Sequence, residues 1–252
     1  MGYRIGVVSL LPDIVVPVEQ HGVVGRACER GLIEIAHTSP REFATDRHRT
    51  VDDRPYGGGP GMVLKYEPLR DAIRSARTEL PDECPAFLLS ARGRPFDQSL
   101  ARDLAAGPGM LLVAGRYEGV DERIVQREVE EELSIGDYVL SGGELAAAVV
   151  IDAVARLLPD VLGHEDSSDE ESHMTGLLEY PQYTRPEAVD GLPVPEVLLR
   201  GDHAEIRRWR LKQALGCTWR RRPDLLEERE LSSEEQQLLD EFVDESDESL
   251  GS

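Results

Sequence analysis

Two stretches decide the fold of this chain: Leu111-Leu-Val-Ala-Gly-Arg-Tyr-Glu-Gly-Val-Asp-Glu-Arg123 and Ser134-Ile-Gly-Asp-Tyr-Val-Leu-Ser-Gly-Gly-Glu-Leu145. Each contains a short apolar segment, Leu111–Ala114 or Tyr138–Leu140, that runs into glycine within one or two residues. Glycine after a strand lets bare backbone approach a ligand or another chain segment closely. Because open parallel sheets bind ligands beyond the carboxyl ends of their strands, the pattern predicts a pocket walled by main-chain amides. Two tight strand-to-helix turns without a ligand are the alternative for either stretch taken alone.

Short apolar strands and helical segments alternate over the first 163 residues. The predicted strands are Arg4–Ser9, Leu32–His37, Ala86–Ser90, Leu111–Ala114 and Tyr138–Leu140. The predicted helices are Ile14–Arg30, Pro68–Thr78, Phe96–Ala105, a charged segment at Asp121–Glu132 whose acids mostly face solvent, and Glu144–Leu158. This alternation predicts an α/β fold, a parallel sheet with helices on both faces.

The character of the chain changes after residue 163. Residues 164–175 are acidic, rich in serine and without apolar periodicity, which predicts a flexible acidic linker or lid over 164–184. A helical pattern from His203 onward predicts a small helical domain over 185–243. The acidic residues 244–252 are predicted to form a disordered tail. The predicted domains are therefore 1–163, the linker, 185–243 and the tail.

The net charge of −21 is unusual for a nucleic-acid-binding protein, but the charge is unevenly placed. From Arg200 to Arg222 the chain carries eight basic and two acidic residues, whereas Asp224–Ser252 carries twelve acidic residues and one arginine. A local basic stripe beside an acidic segment is compatible with RNA binding. We hypothesise that the acid-rich surface is adapted to a salty cytoplasm, where screening shortens the reach of repulsion.

Composition also excludes some classes of protein. No apolar run reaches the roughly 18–20 residues of a membrane-spanning helix, and the first ten residues are typical of a buried strand rather than a signal peptide. We therefore expect a cytoplasmic protein without a membrane partner. Cys28, Cys84 and Cys217 are too far apart in sequence for a disulfide framework or a metal-binding motif, and we expect reduced thiols.

The opening stretches resemble the cofactor-binding loops of the bacterial tRNA (guanine-N1)-methyltransferases that act at position 37. Thr45–Met62, Tyr180–Pro186 and Gly201–Lys212 resemble the same family, and the resemblance extends from about Tyr3 to Leu226. Several long motifs in the same order are more specific than one short pattern. The resemblance implies the SPOUT fold, an α/β fold whose parallel sheet contains a deep trefoil knot, with a small all-helical C-terminal domain. It also implies tRNA as the substrate and a homodimer with composite active sites.

S-adenosylmethionine is the cofactor that the resemblance implies, bound in a bent form within the knot. In the first loop, Ala91 and Arg92 replace the proline and glutamine typical of the family, and we expect the backbone contacts to survive that change. Carried over motif by motif, the cofactor-binding residues are Leu89, Ser90, Gly93, Gly115, Tyr117, Glu118, Ser134, Ile135, Gly136, Asp137, Tyr138, Val139, Leu140, Gly142 and Gly143.

Methyl transfer to N1 of guanine requires removal of the N1 proton, which a nearby carboxylate can accept. A cation near O6 would stabilise the negative charge that develops on the ring. The resemblance implies Arg156 as the cation and Glu171 in the acidic linker as the base, with Asp169 and Glu170 as alternatives if the register differs. A solvated loop is the plain alternative for acids in such a run. The resemblance further implies assistance by Mg²⁺, but no cluster of ligands in the sequence predicts a fixed metal site.

The basic stripe supplies the predicted tRNA-binding residues, Arg207, Arg208, Arg210, Lys212 and Arg220, while Trp209 and Trp219 are predicted to pack the small domain. Tyr56–Gly61 is glycine-rich but lacks the lysine and hydroxyl residue of a nucleotide-binding P-loop, which argues against a triphosphatase. Two alternative functions stay open: another SPOUT methyltransferase that modifies ribose or ribosomal RNA, and a non-catalytic RNA-binding relative.

Overall fold

A computed structural model describes residues 2–162, 172–173, 176–227 and 229–250 of the chain, the last four without their side chains. The chain forms two compact units, Met1–Glu165 and Asp166–Ser252. The first contains a sheet covered by helices, and the second consists mainly of helices.

A five-stranded parallel sheet forms the centre of the first unit. The strands of this unit are β1 (Tyr3–Val8), β2 (Ile33–Thr38), β3 (Asp52–Asp53), β4 (Val63–Leu64), β5 (Ala86–Pro95), β6 (Gly109–Ala114) and β7 (Glu131–Ser134). The sheet order is β2-β1-β6-β5-β7, and β3 pairs with β4 as a separate antiparallel ribbon. The register of β5 against β7 shifts between Leu89 and Arg94, so β5 is irregular where it passes the end of the sheet.

Helices cover both faces of this sheet, as predicted. They are α1 (Val16–Gln20), α2 (Gly22–Glu29), α3 (Tyr66–Arg77), α4 (Gln98–Ala105), α5 (Glu122–Arg127) and α6 (Glu144–Ala155). Side chains alternate between the faces along each strand. Met110 and Leu112 therefore pack in one apolar cluster with α2, α4 and α6, whereas Leu111 and Val113 pack in a second cluster with α3 and α5. The α/β class with a parallel sheet is confirmed.

The prediction of a strand at Tyr138–Leu140 is wrong, because the last strand of the sheet is β7. The predicted helix Asp121–Glu132 correspondingly ends at Arg127. The strand was not predicted because it begins with two acids, which are unusual in a buried strand. It lies at the edge of the sheet, where Glu131 and Glu132 form ion pairs with arginines on β5.

Two further details differ from prediction. The segment Ile14–Arg30 is not one helix, because His21 adopts an extended conformation with φ −134° and ψ 162° between α1 and α2. Glu128 does not face solvent: it is 6% exposed, and Arg74 donates two hydrogen bonds to its carboxylate, at 3.0 and 2.7 Å.

The second unit is built around helices α7 (His203–Arg221), α8 (Pro223–Glu227) and α9 (Ser233–Leu250). Leu215 of α7 and Leu238 of α9 lie at the centre of its apolar cluster. The unit is not purely helical, because β8 (Ala188–Val189) and β9 (Leu192–Pro193) form a short hairpin. Asp190 and Gly191 between them both have positive φ, as a two-residue turn of type I′ requires.

Two segments of this unit are more ordered than the sequence predicts. Helix α9 continues to Leu250, past the predicted start of a disordered tail at Asp244. Leu177, within the predicted linker, is 4% exposed and belongs to the same apolar cluster as Leu215. The main-chain N–H of Leu178 donates to Thr218 Oγ1 at 2.9 Å, which ties this segment to α7.

Candidate functional site

A cavity of about 350 Å³ opens beyond the carboxyl ends of β6 and β7, beside the irregular part of β5. This volume suits a small organic ligand. Three segments supply most of its lining: 88–92, 115–120 and 132–143. Most of the residues predicted to bind a cofactor lie in this lining: Leu89, Ser90, Gly115, Tyr117, Glu118, Ser134, Ile135, Gly136, Tyr138, Val139, Leu140, Gly142 and Gly143.

Two of the predicted cofactor residues, Gly93 and Asp137, do not line the cavity. Gly93 lies in β5 beside β7, where a Cβ atom would come within 2.5 Å of the main chain of Glu132 and Leu133. The glycine is therefore explained by the close approach of two strands. Asp137 lies in the loop after β7 with its side chain exposed.

Main-chain contacts join the two glycine-containing loops. The N–H of Gly143 donates to the carbonyl oxygen of Gly115 at 2.8 Å, and Arg116 forms an antiparallel bridge with Gly142. A Cβ atom on Gly143 would lie only 2.8 Å from the Cα of Ala114. Glycine is thus required at position 143 for the two loops to meet, and the predicted wall of main-chain groups is present.

The turn after Gly115 connects the cavity to the glycine-rich loop Tyr56–Gly61. Tyr117 has a φ of +61°, an uncommon conformation for an aromatic residue. The next residue, Glu118, donates its main-chain N–H to the carbonyl oxygen of Met62 at 3.0 Å, and its side chain lies directly against Gly61. A side chain at position 61 would collide with it.

The cavity is also lined by charged residues that were not predicted from the sequence to belong to the site. Arg92 forms ion pairs with Glu122 at 2.7 Å and with Glu132 at 3.0 Å. Hydrogen bonds to Glu132 and Glu122 raise the pKa of the Arg92 guanidinium. These residues were missed because their partners are distant in sequence. The same holds for Arg116, which lines the cavity and is bound to a buried carboxylate.

Arg156, the predicted cation, does not line this cavity. Gly143 is the N-cap of α6 and Arg156 is its C-cap, so at 1.5 Å per residue they are roughly 20 Å apart along the helix axis. The predicted base Glu171, with its alternatives Asp169 and Glu170, lies outside the described residues. Among the residues that are described, no group of three His, Cys, Asp or Glu side chains could hold a metal ion.

Comparison with known proteins assigns a family to this chain. A family model described as tRNA (Guanine-1)-methyltransferase TrmD matches residues 3–228. Proteins named tRNA (guanine-N(1)-)-methyltransferase from Salmonella newport, Salmonella agona and Salmonella typhimurium are each 57% identical over 238 residues, which is 94% of this chain and 93% of their own length. The chain belongs to this family. The family predicted from the motifs is therefore confirmed.

In this member of the tRNA (guanine-1)-methyltransferase family, most of the predicted tRNA-binding side chains are engaged within the second unit. Arg208 is bound to Glu241 at 2.6 Å and Lys212 to Glu245 at 2.7 Å, both acids of α9. The other contacts are with a hydroxyl and with aromatic rings: Arg220 donates to Ser246 at 2.7 Å and covers the ring of Phe242, and Arg210 covers the ring of Tyr180.

Arg207 and Arg221 differ from these residues. Both are exposed, and among the described residues neither has an ion-pair partner.

Trp209 lies beside Tyr183, with ring centroids 6.4 Å apart, whereas Trp219 is 40% exposed and does not pack as predicted. Among the described residues, no helix is both long enough and apolar enough to cross a membrane.

Proposed function

We infer that this protein transfers a methyl group from S-adenosylmethionine to N1 of guanosine 37 in tRNA, the reaction implied by its family. The observation that carries this inference is the family match over residues 3–228, which includes every segment of the cavity wall. Because the substrate is tRNA, we assign the reaction to the cytoplasm. If this inference fails, the alternatives are a methyltransferase that modifies ribose or ribosomal RNA, and a non-catalytic RNA-binding protein.

S-adenosylmethionine fits the cavity in volume and in chemistry. Main-chain groups of Gly115, Ser141 and Gly142 can hydrogen-bond a polar ligand, while Leu89 and Ile135 offer it apolar contacts. When bound, the cofactor supplies an electrophilic methyl group on a sulfonium centre. Gly142 and Gly143 keep the wall thin enough for the ligand to lie against the backbone.

We also propose that this part of the chain forms the trefoil knot of the SPOUT fold. Support comes from the segments 115–120 and 135–143, which lie side by side and are hydrogen-bonded to each other beyond the ends of the strands. The absence of a side chain at Gly143 permits the chain to pass within van der Waals distance of Ala114 and Leu89. A knot requires one chain segment to pass this closely by another.

For the chemical step we propose that Glu171 accepts the N1 proton of guanine and that Arg156 stabilises the charge developing on O6. A carboxylate near N1 and a cation near O6 satisfy the needs of this transfer. Asp169 and Glu170 are the alternative bases. No step is assigned to Mg²⁺, since the described residues offer no set of ligands for it.

The distance between Arg156 and the cavity favours a homodimer with composite active sites. Ala146 is the last residue of α6 that lines the cavity, and Arg156 lies ten residues beyond it, about 15 Å along the helix axis. This separation supports a site in which Arg156 serves the cavity of a second copy. Leu145 and Val149 occupy the outer face of α6 and are 53% and 48% exposed. Val139 is also 88% exposed, and we propose that a second copy of this chain covers these apolar side chains.

We propose that tRNA phosphates contact the basic side chains of α7, with Arg207 and Arg221 available directly and Arg208, Lys212, Arg210 and Arg220 after exchange of their present contacts. The loop around Tyr56, which is fully exposed, lies next to the cavity turn through Gly61 and Glu118. An exposed aromatic ring at that place can stack on an unpaired base of the anticodon loop.

Methyl transfer to tRNA transcripts that differ only at position 37 tests the function. We expect incorporation of labelled methyl groups with guanosine and none with adenosine at that position. Alanine at Glu171 should lower turnover by roughly a hundredfold or more if it is the general base. Methylation that does not depend on nucleotide 37, or cofactor binding without methylation of any tRNA, would refute the proposal.

A mixed dimer tests the composite site. One protomer carries Arg156→Ala and its partner carries Gly143→Ala, which is expected to abolish cofactor binding because its Cβ would collide with Ala114. If each site combines a cavity from one chain with Arg156 from the other, one of the two sites stays intact and about half of the activity remains, by the symmetry of a two-fold dimer. If each site is built within one chain, both sites are damaged and activity is lost.

A further inference from the structure

Ser9, Arg116 and Glu144 meet behind the wall of the cavity. Glu144 Oε1 accepts two hydrogen bonds, one from Arg116 Nε at 2.9 Å and one from Ser9 Oγ at 3.0 Å. Glu144 is 1% exposed and Ser9 is 2% exposed. The three residues come from distant parts of the chain: the end of β1, the turn after β6 and the first residue of α6.

A carboxylate buried to this degree needs compensation, because removing a charge from water is costly. The guanidinium of Arg116 and the N-terminal end of α6 supply part of it. The other oxygen, Oε2, is buried and has no hydrogen-bond partner among the described residues. The main chain of Gly142 covers it so closely that a Cβ atom there would lie 2.5 Å from Oε2. An apolar residue at this position would avoid the free-energy cost of burying a charge. The presence of a carboxylate therefore points to a functional reason for it.

That reason lies in Arg116. Arg116 lines the cavity, whereas Ser9 and Glu144 do not. Arg116 also engages the second loop, since its Nη1 donates to the carbonyl oxygen of Ser141 at 3.4 Å and its main chain bridges to Gly142. The carboxylate therefore fixes a residue of the first glycine loop that lines the cavity and contacts the second glycine loop.

We propose that Glu144 is a positioning residue for cofactor binding: it holds the Arg116 guanidinium, and through it the Ser141–Gly143 segment, in the arrangement that the ligand requires. This proposal rests on the proposed function, because it concerns the same cavity. Glu144 acts only through Arg116 and contacts no ligand itself. Ser9 is the second donor that keeps the carboxylate in one orientation.

The Glu144→Gln variant tests the proposal, because glutamine keeps the size and one acceptor oxygen but removes the charge that holds Arg116. We expect the dissociation constant for S-adenosylmethionine, measured by calorimetry, to rise about tenfold, which corresponds to loss of one charge-assisted hydrogen bond. The KM for the cofactor should rise in parallel, while kcat at saturation changes less than threefold. Ser9→Ala should give a smaller change in the same direction.

Glu128→Gln is the matched control. Glu128 is also a buried glutamate bound by an arginine, Arg74, but it lies outside the cavity lining. This variant should lower the melting temperature and leave the dissociation constant for the cofactor unchanged. If Glu144→Gln also lowers only the melting temperature, Glu144 has a purely structural role and the proposal is wrong.

A double-mutant cycle separates action through Arg116 from any other route. In an Arg116→Ala background, Glu144→Gln should weaken cofactor binding by less than twofold, because the side chain that it positions is already gone. Independent, multiplicative effects of the two substitutions would overturn the proposal. Wild-type protein that binds no S-adenosylmethionine would instead refute the proposed function, so the two failures can be told apart.

Discussion

The cavity of the first unit is built mainly from main-chain atoms held in place by glycine, whereas the helix pair α7–α9 of the second unit presents charged side chains bound to one another. A Cβ atom on Gly143 would lie only 2.8 Å from Ala114 Cα in the cavity wall, while Lys212 and Glu245 on the helix pair keep a partly exposed ion pair. The first arrangement tolerates no added side chain at Gly143 and depends little on salt. The second adapts to new partners and depends on the surrounding ionic strength.

The largest effect should come from adding one methyl group to the cavity wall. In Gly143→Ala the new Cβ would meet Ala114 Cα at 2.8 Å, so backbone must move. We expect a loss of about 1–3 kcal/mol in the free energy of unfolding, typical of overpacking, together with loss of measurable cofactor binding. Chemical denaturation and calorimetry measure the two effects.

Gly115→Ala provides the control for that experiment. A Cβ atom at position 115 would meet its nearest neighbours, Leu88 Cδ1 and Leu89 O, at 3.6 Å, which is an ordinary van der Waals contact. Its free energy of unfolding should stay within about 0.5 kcal/mol of the wild type, as for substitutions that disturb no contact. Equal destabilisation by both substitutions would show that close approach at Gly143 is not the determining factor.

The wall of main-chain groups could be predicted from sequence because glycine by itself signals a close approach of the backbone, whatever it meets. The sequence did not show what it meets: the strand predicted at Tyr138–Leu140 is absent, and Gly143 is required by its approach to the distant Ala114. Strand β7 was missed for the opposite reason: Glu131 and Glu132 are unfavourable in a strand until they pair with Arg94 and Arg92 of β5. Sequence distance hides such pairs.

The second unit shows the same limit. Positive charges at Arg207, Arg208 and Lys212 correctly indicate a basic helix, but the sequence alone did not reveal that α9 supplies Glu241 and Glu245 to two of them. Glu144 likewise reads as an ordinary helix-starting acid, and only the fold brings it to Ser9 and Arg116. Local conformational signals were predictable, whereas charge pairing across the chain was not.

A moderate effect should follow from releasing the basic side chains of α7. In the double variant Glu241→Gln, Glu245→Gln, we expect tRNA affinity at low salt to rise several-fold, because Arg208 and Lys212 no longer lose an internal partner when they bind phosphate. The gain should shrink as salt is raised toward 1 M, where screening is nearly complete. Filter binding over a salt series measures it.

The matched control replaces two acids of the same helix that have no ion-pair partner among the described residues, Glu234→Gln with Asp244→Asn. It changes the net charge of α9 by the same amount. An equal gain in tRNA affinity would mean that bulk charge, rather than the specific pairs with α7, governs binding. Arg207→Ala with Arg221→Ala should lower the affinity in either case, and an unchanged affinity would place the tRNA elsewhere.

The smallest effect concerns Asp121, the N-cap of α5, which directly follows the cavity turn. Hydrogen bonds from the Arg123 side chain and main chain lower the pKa of this carboxyl group. Its contribution to stability is therefore complete above the unfolded pKa of about 3.9 and is lost as pH falls through the lower folded value.

Asp121→Asn keeps a helix-capping oxygen but cannot titrate. Between pH 5 and pH 2, the free energy of unfolding of the wild type, measured by urea denaturation, should fall slightly more than that of the variant, by under about 1 kcal/mol because the pair is partly exposed. Identical pH profiles would show that the charge of Asp121 does not contribute to stability at the end of the turn.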